Sequence, residues 1–429
     1  MKGLVFVVLV AAVYAKHEHY AGWKSYFVKP DTQDQLFTLG SKVIEYELDF
    51  LSHARVGREG VVLVKPEYQA DFQKFLSEAE INYWIHANDV KAQLDIDDIL
   101  IEARKQETRS FNGGRIPYDN YQPLDVIYDY IDRIAEQYPE TVTLVTPGNS
   151  FEGRPLKYLK ISTDNFESNK PIIYIDGALH AREWITPPVV TYAIYKLVEN
   201  VTEPDLLERF DWIIFPVVNP DGYVFSFEHQ RMWRKTRSTD QTDLSEMCPG
   251  VDGNRNFDFF WNTVGTSNNP CSDTYAGSRA FSEVETRAVD DIIQEYYGRI
   301  VLFLTMHSYG SMILYPWNHD GTLSIQAFAL QTVGVAMAEA IDAVSIPYFP
   351  RYSVGNSALT IGYLVSGAAE DYAHYEGVPI SFTQELPGLD SGLQGFHLDP
   401  RYIPQVVVET WAGIIAGARR TSQLFPDRM

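Results

Sequence analysis

The chain has 429 residues, 45% hydrophobic and 14% aromatic, enough for more than one domain at about 100–200 residues each and for sizeable cores. Its 35 basic and 57 acidic residues give a formal charge of -22, which argues against nucleic acid as a partner and for a soluble, mutually repelling species. No long low-complexity tract and no internal repeat appears.

Residues 1–15 read as a signal peptide: Lys2, an apolar run from Leu4 to Val13, and Val13-Tyr14-Ala15 as a small-residue cleavage site. That run is too short to cross a bilayer and nothing later reads as long and apolar enough, so a secreted protein with no membrane partner is expected. Residues 16–109 then look like a small α+β unit. Strand-like alternation covers Ser41 to Phe50, Gly60 to Pro66 is a short strand, Tyr68 to Ala79 has helical spacing, Ile81 to His86 returns as a strand, and Asp89 to Lys105 is a second helix. The basic, Gly-containing stretch from Arg104 to Gly114 reads as a linker open to proteolysis, either after a removable pro-segment or as an ordinary connection between domains.

Over residues 110–429 apolar strand runs alternate with longer helical ones, the mark of an α/β domain with a mainly parallel sheet. The strands expected are Thr141–Val145, Leu156–Ile161, Pro171–Ile175, Trp212–Val218, Ile300–Thr305 and Ile380–Leu386. The helices are Leu124–Gln137, Val189–Glu199, Glu283–Tyr297, Ile325–Ala343 and Arg401–Leu424. Between Asn219 and Ser282 lies a long run with few regular signals, and such loops in compact domains are usually functional.

The chemistry gathers at strand ends, where open α/β sheets place their sites. His180-Ala181-Arg182-Glu183 follows the strand at Ile175, and residues three apart on a helical turn share a face, so an imidazole and a carboxylate can aim at one ion. His307 closes the strand that begins at Ile300 and offers a third ligand. Two His and one Glu with an open fourth position make a catalytic rather than a structural zinc site. In the long run, Arg231, Arg234, Lys235 and Arg237 precede Asp252-Gly253-Asn254-Arg255, where a guanidinium beside an amide suits recognition of a carboxylate. Glu385 stands in an otherwise apolar strand, where a charge is expensive unless paired or put to use; it serves either as a general base or in a structural ion pair. Cys248 and Cys271 form an even pair suited to one disulfide, and Asn200-Val201-Thr202 is a glycosylation sequon.

His180-x-x-Glu183, Asn254-Arg255, His307-Ser308-Tyr309, Tyr363 and Glu385 together resemble the zinc metallocarboxypeptidases of the A/B, pancreatic-like digestive type, in their procarboxypeptidase form. The resemblance implies a catalytic domain with a mixed, mainly parallel eight-stranded sheet, preceded by a small antiparallel α+β pro-domain that covers its cleft. It implies one zinc ion held by His180, Glu183 and His307, with Asp252 orienting His180 from behind. Asn254, Arg255, Tyr309 and Tyr363 would bind the substrate, Asn254, Arg255 and Tyr363 by its terminal carboxylate. Arg237 would polarise the scissile carbonyl, Arg182 would bind further up the peptide, and Glu385 would move the proton.

Glu370 falls where this family sets side-chain preference. An Asp there accompanies removal of Lys and Arg, and an apolar residue accompanies removal of aromatic or aliphatic ends. A Glu departs from both, and Asn318 stands where B-type relatives carry a Gly. The expectation is B-type release of basic C-termini, with Lys favoured over Arg by the longer side chain. The alternatives are A-type specificity, or an inactive zinc-bearing peptide-binding relative. Expected partners are peptides with a free C-terminus, a trypsin-like protease cutting near Arg109, Arg104 or Lys105, and protein inhibitors; a monomer in a digestive lumen is expected.

Overall fold

The computed structural model describes residues 17–107, 116–389 and 395–426. The signal-peptide segment and the expected cut at Arg109 lie outside them. The helix Val90–Glu107 contains the alternative cut positions Arg104 and Lys105.

The N-terminal unit is a four-stranded antiparallel sheet, β1 (Lys24–Lys29), β2 (Asp49–Ser52), β3 (Gly60–Val64) and β4 (Asn82–Ala87), in the order β2-β3-β1-β4. The helices Gln33–Gly40 and Gln69–Glu78 pack on it through Leu36, Leu39, Phe72 and Leu76. Thr32 caps the first of these, its hydroxyl accepting from the Gln35 N–H at 3.2 Å. The strand expected from Ser41 is a chain of turns as far as Glu47, and extended pairing starts only at Asp49. The alternation there reflects Val43, Leu48 and a partly covered Tyr46 turning inward without a ladder to join.

The larger unit is built on a mixed sheet of eight strands: β5 (Val142–Asn149), β6 (Pro155–Ile161), β7 (Ile172–Asp176), β8 (Asp211–Phe215), β9 (Ile300–Ser308), β10 (Met312–Tyr315), β11 (Ser353–Asn356) and β12 (Ile380–Leu386). Their order is β11-β10-β12-β9-β7-β8-β6-β5. The central run β12-β9-β7-β8 is wholly parallel, and β7, β8, β9 and β12 are buried along their whole length, as parallel strands covered on both faces must be. One layer holds the helices Leu124–Gln137, Thr186–Ile194, Ala327–Val344 and Ile403–Leu424; the other holds Val284–Glu295 and Ala369–Tyr375.

Ala327–Val344 amends one expectation, since its 18 residues and mean hydropathy of 1.4 meet the length and composition of a membrane span. Its buried positions, Leu330, Val333, Met337 and Ile341, recur every three or four residues and join the core that includes Trp411 and Ile414. Such a one-faced pattern is that of a core helix.

Two features of the sheet position the site. In the parallel pair of β12 and β9, Glu385 lies opposite His307, and β10 brings Met312 against Glu385 from the other side. The strand β9 runs three residues further than the apolar run alone indicates, so His307 sits inside the ladder rather than after it.

Candidate metal centre and active site

His180 and Glu183 lie in the turns that leave β7, immediately before the helix Thr186–Ile194, whose first turn accommodates Pro187 and Pro188. Their side chains meet that of His307, and all three are buried with ligand atoms within 4.8 Å of one another. His180 Nδ1 stands 2.8 Å from Glu183 Oε1, and His307 Nδ1 stands 3.0 Å from Glu183 Oε2. The two imidazole Nδ1 atoms face each other at 3.0 Å and each also faces a Glu183 oxygen, so with both rings neutral and one Nδ1–H donating to the other ring, the accepting nitrogen turns its lone pair on the carboxylate. Burial lowers the affinity of His307 for a proton, yet Glu183 outweighs it and raises the imidazole to about 9. The donor set therefore demands a positive charge at its centre, and two imidazoles with one carboxylate fit zinc.

Outer partners fix the ligands. His180 Nε2 is 3.0 Å from Asp252 Oδ1, and His307 Nε2 is 3.3 Å from Thr305 Oγ1. Burial opposes ionisation of Asp252, but Arg234, Arg255 and His180 hold its carboxyl well below the usual range. Arg234 donates to Asp252 Oδ2 from Nε at 3.1 Å and from Nη2 at 2.9 Å. Arg234, Asn254, Arg255, Tyr309, Tyr363, Glu370 and Glu385 line one cavity of about 60 Å³ with the three metal-ligand candidates. Glu385 is pushed up to about 7, first by burial and then by the Glu183 charge, so it exchanges a proton near neutrality.

Against these observations stand the comparisons with known proteins. The zinc carboxypeptidase family profile matches residues 127–413, and the carboxypeptidase activation peptide profile matches 26–97. The chain belongs to the zinc carboxypeptidases. It is a procarboxypeptidase, 61% identical to carboxypeptidase B of Helicoverpa zea over 99% of this chain and 100% of that one. It is 41% identical to carboxypeptidase B of Astacus astacus over 69% of this chain and 95% of that one. The crystal structure of carboxypeptidase A from Helicoverpa armigera superposes with a TM-score of 0.88 at 41% identity, covering 95% of this chain and 99% of that one.

Within this carboxypeptidase most of the expected residues line one cavity, but Arg182 and Arg237 do not. Arg237 does not line the cavity: its guanidinium stacks 3.8 Å from the Phe225 ring centre and donates to Glu152 Oε1 at 3.5 Å. The guanidinium beside the metal-ligand candidates is that of Arg234. A signal in the sequence separated the two, since Arg234 follows the apolar Met232-Trp233 whereas Arg237 opens the polar run Ser238-Thr239-Asp240.

Asn254 and Arg255 sit in the 3-10 turn Gly253–Arg255, which Asp252 caps. Asn254 Oδ1 accepts from the Ala369 N–H at 2.8 Å, which turns its amide N–H₂ outward, and Arg255 is braced by the Gly265 and Asn254 carbonyls at 3.0 and 2.9 Å. Glu370 is 1% exposed; Oε1 accepts from Asn318 Nδ2 and from the Ser357 hydroxyl at 3.4 Å, and the Thr383 hydroxyl also supports the carboxylate. Burial first, then the adjacent Asp371, push Glu370 up to about 7.

Sequence reasoning missed the residues that cover this cavity. Phe50, Leu51 and His53, from β2 and the turn after it, line it, and Phe50 and His53 pack over the Tyr363 ring at 6.4 and 5.6 Å. Arg182 likewise does not face open solvent but forks onto Asp49. The expected disulfide joins Cys248 and Cys271, and Asn200 is exposed.

Proposed function

We propose that the chain is a secreted precursor with a signal peptide at 1–15, a pro-segment at 16–109 and a catalytic domain at 110–429. A cut near Arg109 releases an enzyme that removes single basic residues, Lys before Arg, from the C-terminus of peptides. The reading is supported by one observation above others: the buried Glu370 carboxyl group lines the same cavity as the zinc-ligand candidates and Arg255. A carboxylate there pairs with an ammonium, and the unpartnered Asn318 Oδ1 beside it adds an acceptor suited to an ammonium's diverging N–H bonds.

In this reading His180, Glu183 and His307 hold the zinc, which supplies Lewis acidity and a water of lowered pKa when bound. Arg255, the outward amide of Asn254 and Tyr363 grip the terminal carboxylate, so only the last peptide bond is presented. Arg234 donates to the scissile carbonyl oxygen as negative charge develops there. Glu385 accepts a proton from the attacking water and delivers it to the departing amine nitrogen.

The test is the cleavage profile of the trypsin-activated protein on matched peptides ending in Lys, Arg, Phe and Leu. Release of Lys over Arg, with Phe and Leu at least tenfold slower, supports the reading. Faster release of Phe or Leu overturns it in favour of A-type specificity.

A further inference from the structure

His180 and His307 meet at the metal centre through Nδ1, so each keeps Nε2 on its far side. For His180 that far nitrogen is anchored on the Asp252 carboxylate at 3.0 Å. For His307 the neighbour is a hydroxyl, Thr305 Oγ1 at 3.3 Å, which can either accept a hydrogen bond or donate one. A hydroxyl by itself leaves open which ring nitrogen of His307 carries hydrogen, and only the form with hydrogen on Nε2 has a free lone pair on Nδ1.

The side chain that removes this choice comes from β7. Asp176 lies opposite Thr305 in the parallel pairing of β7 with β9, so the two side chains share one face of the sheet, and Asp176 is 1% exposed. Tyr174 donates from its hydroxyl to Asp176 Oδ2 at 2.8 Å, and its ring is held by stacking on Phe303 at 4.6 Å. Burial raises the Asp176 carboxyl to about 6, while the Thr305 and Tyr174 hydroxyls and the His307 charge act against that rise. An ionised carboxylate only accepts hydrogen bonds. With Tyr174 on Oδ2, Thr305 gives its single proton to the same carboxylate and turns an oxygen lone pair toward His307. The hydrogen of that ring then belongs on Nε2, and Nδ1 is left free beside His180 and Glu183. A carboxylate buried inside a sheet is expensive unless it is put to use, and this arrangement supplies the use.

We propose that Asp176 is a positioning residue of the metal centre: acting through the Thr305 hydroxyl, it holds His307 in the tautomer that presents Nδ1 to the ion. This rests on the zinc reading above and deepens it, since it gives the second imidazole a carboxylate anchor as Asp252 gives one to the first. Tyr174 sets the direction of the relay by fixing which carboxylate oxygen is left for Thr305.

The test uses an amide, which has the shape of the carboxylate but one donating end. In Asp176→Asn the Tyr174 hydroxyl holds the amide oxygen, so the N–H₂ faces Thr305 and the relay reverses: the hydroxyl donates to His307 Nε2, and the hydrogen of the ring moves to Nδ1. Zinc affinity of the trypsin-activated enzyme, measured by competition with a chelator of known affinity, should fall by about 10–100-fold. In Tyr174→Phe/Asp176→Asn the amide is free to turn its oxygen to Thr305, and affinity should recover by about fivefold or more over Asp176→Asn, although one more hydrogen bond has been removed. Thr305→Ser should stay within about threefold of the unaltered enzyme, and Thr305→Val should weaken zinc as Asp176→Asn does. A merely structural role gives the opposite order, with the double variant the weakest. Asp176→Asn within about twofold of the unaltered enzyme, or a double variant no tighter than the single one, overturns the proposal. Should the Asp176 variants fail to fold, the Thr305 pair decides, and equal zinc affinities of Thr305→Ser and Thr305→Val count against it. If the unaltered enzyme itself takes up no zinc, the metal-ligand assignment falls first, and this inference with it.

Discussion

Arg234 and Arg237 stand three positions apart and meet different partners: one forks onto buried Asp252, the other stacks on the Phe225 ring. Replacement of Arg234 by Met should lower kcat by about 10²–10³, the usual cost of losing a donor to a developing oxyanion. Zinc content should stay near one per chain, because no ligand changes. Arg237→Met should leave kcat/KM within about threefold; a larger loss there with Arg234→Met near normal would reverse the two roles. At Glu370 the sign follows from its elevation to about 7. Below that pH the group is protonated and neutral, and above it the carboxylate attracts a cation. The ratio of Lys to Phe release should therefore rise by about tenfold or more between pH 5.5 and 8.5, and be flat in Glu370→Gln. Glu385 also titrates near 7, but its state affects both substrates alike, so the ratio isolates Glu370. A ratio independent of pH in the unaltered enzyme would remove Glu370 from the pocket floor.

The elements readable in the sequence are those whose pattern is set by their own burial. The strands β7, β8, β9 and β12 are continuous apolar runs, and the helix Leu124–Gln137 shows a clear one-sided spacing, so both kinds were legible. The four-residue strands β10 and β11 were not, because Ser353-Val354-Gly355-Asn356 pairs only through what lies beside it. The same limit hid the nine-residue helix Pro220–Glu228 inside the long irregular run; its Asn219 cap, accepting from the Gly222 N–H at 2.9 Å, is a local signal that was available. The three metal-ligand candidates were legible through spacing and strand ends, whereas Phe50, Leu51 and His53 carry no local mark of their place in the cleft. One loop ties element geometry to the site. Gly367 has φ +73, and a Cβ there would lie 2.4 Å from the Arg255 carbonyl oxygen. Gly367→Ala should cost about 2–4 kcal/mol in thermal or urea unfolding and raise KM by displacing Arg255. Gly298→Ala, at φ +76 with nothing within 4 Å, should cost only about 1 kcal/mol and leave KM unchanged. Equal costs at the two positions would show that the close approach to Arg255 is unimportant.

At the scale of the whole molecule, the activation unit closes on the catalytic unit by shape as well as by charge. Arg55 donates to the Gly310 carbonyl at 3.1 Å, and Gln33 to the Leu359 carbonyl at 3.0 Å. At Gly40 even a methyl group would lie 2.1 Å from the Gly362 carbonyl oxygen. Beneath this contact the zinc-ligand candidates join the turn after β7 to β9, with Phe50, Leu51 and His53 between them and solvent. Bound metal then adds stability by mass action, about 4 kcal/mol when free zinc is 1,000 times its Kd, and the cover slows its escape. A chelator should strip zinc from the precursor at least tenfold more slowly than from the trypsin-activated enzyme, followed by released metal with a colorimetric zinc indicator. The metal-free activated enzyme should unfold at a lower temperature and recover activity when zinc is returned. His307→Ala should abolish the difference between precursor and activated enzyme by losing zinc in both. If the two native forms release metal at the same rate, the cover is loose over the cleft. Inhibition of the precursor must then come from occupation of the peptide-binding groups alone, the Asp49–Arg182 pair among them.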